Sequence, residues 1–293
     1  MRPALRTRIE HMAEELAQTT GVAAVVLGGS HARGRARDDS DVDLGLLYRE
    51  ATPIDLTALR DLARRWNDSG EGAVTKPYEW GPWANGGAWL LTQGQRVDWI
   101  YRCIDQVEGV IRAAERGEYE FHWSQQPPFG FFSGTYLGEV SCCAPLQDRG
   151  QEVLRLKSRV ATYPDALREA LVADQLWNVQ FGIAAFGRKF AERGDAWGTA
   201  ACLARFIYQL ALALFAWNRV YLVNEKTILE EIAEFRDAPR EFGIRAQAIL
   251  AQPGSTPDEL RASVNALAEL HQEVVSLCGE LYAPRFNLPE GGS

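Results

Sequence analysis

The chain has 293 residues, 46% of them hydrophobic and 24% charged, the texture of a soluble globular protein long enough for two ordinary domains rather than a disordered or fibrous one. A formal net charge of -8 argues against a protein that grips nucleic acid through a broad basic surface. The five cysteines make no CxxC pair and no zinc spacing with the scattered histidines, so they read as reduced, mostly buried thiols.

In chain order, Arg6 to Gln18 reads as a helix, with Ile9, Met12, Ala13, Leu16 and Ala17 at helical spacing. The charged first fifteen residues lack the apolar core of a signal peptide. Val22 to Leu27 is an apolar run expected of a strand buried on both faces. Gly28-Gly29-Ser30 turns the chain, and a basic segment, His31 to Arg37, follows. Asp41 to Tyr48 alternates into a second strand, and Thr57 to Trp66 reads as a helix. The Gly, Pro, Trp and Asn content of Trp80 to Gly87 marks a loop. Trp89 to Thr92 and Arg96 to Tyr101 read as a hairpin joined by Gln93-Gly94-Gln95, with a helix after it over Ile104 to Arg116. Phe121 to Phe132 reads as irregular.

Beyond about Gln151 strand signals vanish. Helical patterns cover Ala166 to Glu192, Ala196 to Val220, Lys226 to Phe235, Arg240 to Ala251 and Pro257 to Leu281, with starts at Pro164-Asp165 and Thr256-Pro257-Asp258 and stops at Gly194 and Pro253-Gly254. The apolar stretch Ala200 to Trp217 carries Arg205 and Gln209 and falls short of the ~20 residues of a membrane span. The expectation is an α+β protein of the cytoplasm, not bound to a membrane. Residues 1–150 would form a mixed β-sheet domain flanked by helices, and residues 151–293 an all-α helical bundle.

The segment that carries chemistry is Gly28-Gly29-Ser30 followed by Asp41-Val42-Asp43. Strand period places Asp41 and Asp43 on one face. Two carboxylates that close repel unless a cation neutralises them, and Mg²⁺ takes such oxygens together with substrate phosphates. The glycines let backbone N–H groups approach a phosphate, Ser30 adds a hydroxyl, and Arg33 with Arg35 offers guanidinium partners. Asp98, on the second hairpin strand, supplies a third acid, able to bridge a second metal or to take the proton of an attacking hydroxyl. His31 and Glu79 stay outside the site. Trp80 and Trp83 are candidates for lining a substrate cleft, whereas core packing accounts for Trp177, Trp197 and Trp217.

This pattern resembles the nucleotidyltransferase superfamily that includes DNA polymerase beta. Gly29-Ser30-His31-Ala32-Arg33-Gly34 running into Asp39-Ser40-Asp41-Val42-Asp43 is similar to its small bacterial members, among them the aminoglycoside nucleotidyltransferases. The resemblance implies that Gly29 and Ser30 hold the nucleoside triphosphate, that Asp41 and Asp43 hold Mg²⁺, two ions being expected, and that Asp98 joins them. More weakly, Ala216 to Lys226 is similar to a segment of two-domain relatives, which implies Lys226 and Tyr221, with Asn218 beside them, as phosphate ligands. The expected reaction moves a nucleoside monophosphate, with ATP the expected donor, to a hydroxyl of a small molecule such as an aminoglycoside. A toxin–antitoxin-type enzyme acting on tRNA or a protein, and a nucleotide-binding regulator without turnover, stand as alternatives.

Overall fold

The alternating runs around Asp43 and Asp98 fold as the middle of a mixed sheet in the computed structural model, which describes residues 3–286. The chain divides into two units. One comprises the residues up to Ala114 together with Tyr119–Thr162, the other Glu115–Glu118 and the residues from Tyr163 on.

The first unit runs α1 (Pro3–Leu16), β1 (Ala24–Leu27), α2 (Gly29–Ala32), β2 (Val42–Tyr48), α3 (Leu56–Trp66), β3 (Gly87–Thr92), β4 (Gln95–Cys103) and α4 (Ile104–Glu115). It continues with β5 (Phe121–His122), β6 (Phe131–Phe132), α5 (Thr135–Cys142), β7 (Ala144–Gln147) and α6 (Glu152–Val160). Five strands lie in the order β3-β4-β2-β1-β7, and only the β2–β4 pair is parallel. Val42, Leu44, Leu46 and Tyr48 of β2 share a face with Val97, Trp99 and Tyr101 of β4, buried against Ile9, Met12 and Leu16 of α1 and Leu59 and Leu62 of α3. Each such side chain stabilises the fold by about 1.5–3 kcal/mol. Trp99 Nε1–H donates to Met12 Sδ at 3.3 Å, so even the largest core ring has a partner.

Both sheet edges are blunted. Along β3 the outward backbone of Gly87 exchanges bonds with Thr75, and that of Leu91 with Asn67 and Asp68. The other edge, β7, contains Pro145, which has no N–H to offer.

The second unit runs α7 (Asp165–Gly182), a π-helical turn (Ile183–Gly187), α8 (Arg188–Glu192), α9 (Ala196–Trp217), α10 (Ile228–Ile232), α11 (Phe242–Ala251) and α12 (Pro257–Cys278). Gly182 lets α7 close on α9, since a Cβ there would stand 2.4 Å from the Phe206 ring. Thr256 and Glu259 form a reciprocal capping box at the start of α12. The α9 helix starts at Ala196 and is long and apolar enough for a membrane span, contrary to the shorter stretch read from sequence. Yet 72% of its apolar window is buried inside the protein, so its all-round apolarity marks a core helix.

Three expectations change. The helix expected over Lys226 to Phe235 shrinks to α10, because Asn224 Oδ1 accepts the Lys226 N–H in a local turn that competes with a helix start. Trp197, expected in the core, is 81% exposed. The stretch before Phe132 read as irregular holds the two-residue strands β5 and β6, paired antiparallel. The cysteines are free, with Cys103, Cys143 and Cys278 buried.

Candidate active site

Parallel pairing of β2 with β4 puts Asp43 directly beside Asp98. Both belong to the sheet face opposite the core, because their neighbours Val42, Leu44, Val97 and Trp99 are the buried set. Asp41 stands one residue ahead of β2, separated from Asp43 by the buried Val42. One strand further, Gly28 leaves β1 with its N–H bonded to the Asp43 carbonyl at 2.8 Å. Gly29 then takes φ +57, and a Cβ on it would lie 1.8 Å from Asp43 Oδ2. Only glycine lets the turn sit against that carboxylate.

Ser30 lies in the four-residue helix α2, whose first N–H groups have no partner within the helix itself. Arg33 caps its end, with its N–H on the Gly29 carbonyl at 3.3 Å. His31 lies beside them with Nε2 buried and without a hydrogen-bond partner. Burial lowers its pKa, and a bond to the Ser40 backbone works the other way.

The structure adds a group that the sequence reading passed over. Arg102 lies on the same face as Asp98, four residues along β4. It donates to both oxygens of Glu139 on α5, Nε at 2.6 Å and Nη2 at 2.7 Å, and stands 5.2 Å from the centre of the Tyr136 ring. Burial works against its charge, but the Glu139 carboxylate outweighs it, with Tyr136 and Asp43 adding to the same sense, and its pKa is raised. Glu139 therefore holds a fixed cation on the face that carries Asp43 and Asp98.

Of the two cleft candidates, Trp83 is a correction. It is buried between Phe131 and Tyr136, with ring centres 5.5 Å from each. Trp80 instead stacks on Trp89, 4.5 Å between centres and 16° between planes. Trp89, which the sequence reading placed only in a strand, is the register partner of Asp98 on β3.

Tyr221 and Lys226 belong to the second unit. There Tyr221 stacks on Tyr163 at 4.6 Å, and burial pushes its pKa up to about 12. Lys226 is exposed. Asn218 is a latch: its amide donates to the Leu214 and Asp237 carbonyls and accepts the Asp237 N–H.

Among the described residues no three His, Cys, Asp or Glu side chains are gathered closely enough to hold a metal ion by themselves. Like-charged carboxylates on adjacent strands keep apart, and Mg²⁺ commonly takes only one or two of them, the substrate phosphates supplying the rest. The all-oxygen donor set of Asp41, Asp43 and Asp98 suits that ion.

Residues 9–78 match the family model of the nucleotidyltransferase domain. The first unit carries a nucleotidyltransferase domain. The match takes in Gly29, Ser30, Asp41 and Asp43. Residues 133–226 match a second family model, a domain of unknown function named DUF4037. Among solved structures the chain is similar to a nucleotidyltransferase-like protein from Exiguobacterium sibiricum, at 13% identity and a TM-score of 0.46, over 94% of this chain and 76% of that one. No curated protein matches it.

Proposed function

We propose that this nucleotidyltransferase moves a nucleoside monophosphate, AMP from ATP, to a hydroxyl of a small molecule of the aminoglycoside kind, releasing pyrophosphate. The observation that carries the reading is the side-by-side register of Asp43 and Asp98, with the Gly29 backbone closed onto Asp43. Mg²⁺, for which Asp41 and Asp43 with Asp98 are the oxygen ligands, would supply Lewis-acid stabilisation of the phosphate oxygens.

The rest is done by the chain. The turn at Gly29 and Ser30, with Arg33, holds the phosphates and so fixes where pyrophosphate departs. The acceptor hydroxyl bonds the α-phosphorus as the bond to the bridging oxygen of pyrophosphate breaks, and the hydroxyl proton passes to Asp98. Arg102, anchored on Glu139, keeps its charge beside Asp43 throughout. The reading rests on residues of the first unit and needs neither Lys226 nor Tyr221.

The test is pyrophosphate release from each nucleoside triphosphate with Mg²⁺, over a panel of aminoglycosides and bulk tRNA. An acceptor-dependent signal should appear with ATP and fall by on the order of 100-fold or more in Asp43→Asn, with the thermal transition unchanged. A folded, fully active Asp43→Asn variant would overturn it, and a signal only with tRNA would replace the acceptor.

A further inference from the structure

The Trp80–Trp89 stack lies at the end of a row that crosses the sheet. From β1 to β3 the open face presents the Gly29 turn, then Asp43, then Asp98, then Trp89. Strands are ~4.8 Å apart, so the indole stands about one strand spacing from Asp98 and about three from the strand that leads into the glycine turn. Gly87 and Leu91 use their backbone groups on the outer edge. By alternation Trp89 therefore faces Asp98 as a non-hydrogen-bonded pair, the kind in which side chains approach most closely.

The loop that brings Trp80 to Trp89 is held from below by buried amides. Gln125 donates to the Trp80 carbonyl at 2.9 Å and accepts the Trp83 N–H at 2.9 Å. Asn85 accepts the Tyr78 N–H and donates to the Tyr48 hydroxyl, both at 2.9 Å. The Tyr136 hydroxyl donates to the Trp83 carbonyl at 2.7 Å. Despite Trp80 covering one side, Trp89 is 68% exposed. A loop fixed this firmly presents a flat aromatic surface that need not reorganise to bind.

We propose that Trp89, backed by Trp80, is the acceptor subsite, and that it takes a hydroxylated ring bearing amino groups. This rests on the transfer reading above and goes beyond it by naming the residues and the chemistry they select. In-line displacement puts the entering and leaving oxygens on opposite sides of phosphorus. With pyrophosphate held toward β1, the hydroxyl enters from the β4–β3 side, where the indoles are, so the platform serves the acceptor rather than the nucleobase. The electron-rich indole face attracts a cation, and the neighbouring carboxylates Asp98 and Asp43 add to that attraction.

Calorimetric titration of the full chain separates the choices, with kanamycin and the non-cleavable ATP analogue AMPCPP plus Mg²⁺ as probes. Trp89→Ala should bind kanamycin about tenfold more weakly or worse, Trp89→Phe should recover most of that loss, and AMPCPP affinity should hold within about twofold in both. AMPCPP binding that weakens in Trp89→Ala while kanamycin binding holds would make the stack a base platform and overturn the proposal. Wild-type protein that binds AMPCPP with Mg²⁺ but no kanamycin would overturn the amino-ring assignment. Wild-type protein that binds no AMPCPP at all would sink the transfer reading itself, and the proposal with it.

Discussion

The two units put their polar groups to different uses. In the helical unit Thr256 caps a helix end, Asn218 and His271 are single latches, and α9 supplies much of the buried apolar interior. In the sheet unit the Arg102–Glu139 ion pair is set on the open face of the central strands, over a mainly apolar core on the other. The difference teaches that stability and chemistry are coupled in the first unit and separable in the second.

Breaking the Arg102–Glu139 pair tests this most severely. Arg102→Met strands a carboxylate that is a third exposed, which sets the cost at about 3 kcal/mol, the low end for a broken buried pair. Calorimetry should show the transition of the first unit falling by about 10 °C, together with a loss of transfer; adding Glu139→Gln should return stability but not activity. Equal recovery of both would dissolve the coupling.

Gly29→Ala sharpens the contrast from the other side. The added methyl meets Asp43 Oδ2 at 1.8 Å in a positive-φ turn, so transfer should drop on the order of 100-fold through misplacement of that carboxylate, while circular dichroism stays native. In the helical unit, Thr256→Ala removes one cap bond and should cost about 1 kcal/mol, a shift of about 2–4 °C, with kcat unchanged.

The smallest effect is one of pH. His271 is buried on α12, where its Nε2–H donates to the Leu176 carbonyl at 3.1 Å; burial lowers its pKa, which that bond only partly offsets. With the folded pKa below the unfolded value, its contribution to stability is full above about pH 6.5 and is lost as pH falls toward the folded pKa, because the unfolded chain takes up the proton first. The melting temperature of the helical unit should therefore slope downward below about pH 6.5, and His271→Gln should flatten that slope.

Much of this was legible in the chain itself. Alternation around Val42–Tyr48 and the Gly94 hairpin gave β2, β3 and β4, and the glycine–serine turn with its two aspartates pointed to the candidate site proposed here. What stayed hidden has physical causes. α2 is four residues long, too short to show a period. α5 mixes Gly138, Ser141 and Cys142 into its eight residues, and β7 is an edge strand with a proline and little alternation. The neighbour relation of Asp43 and Asp98 depends on a parallel pairing between strands with α3 and β3 between them in sequence. No local spacing encodes that register. Arg102 carried a signal that went unused: it shares the outward face of β4 with Asp98 in a strand that alternates cleanly, and its charge there is held by Glu139. Trp83 and Trp80, three residues apart in one loop, could be told apart only by which of them the Tyr136 ring covers.

The blunted sheet edges bear on how the protein behaves in company. A strand borrowed from another molecule needs a free row of amide and carbonyl groups to zip onto. Along β3 the positions at Gly87 and Leu91 are already engaged by Thr75, Asn67 and Asp68, and along β7 Pro145 interrupts the row. Crowded copies of this protein meet no ready template at those positions, so a proline and a few loop side chains guard its central sheet against runaway cross-β association.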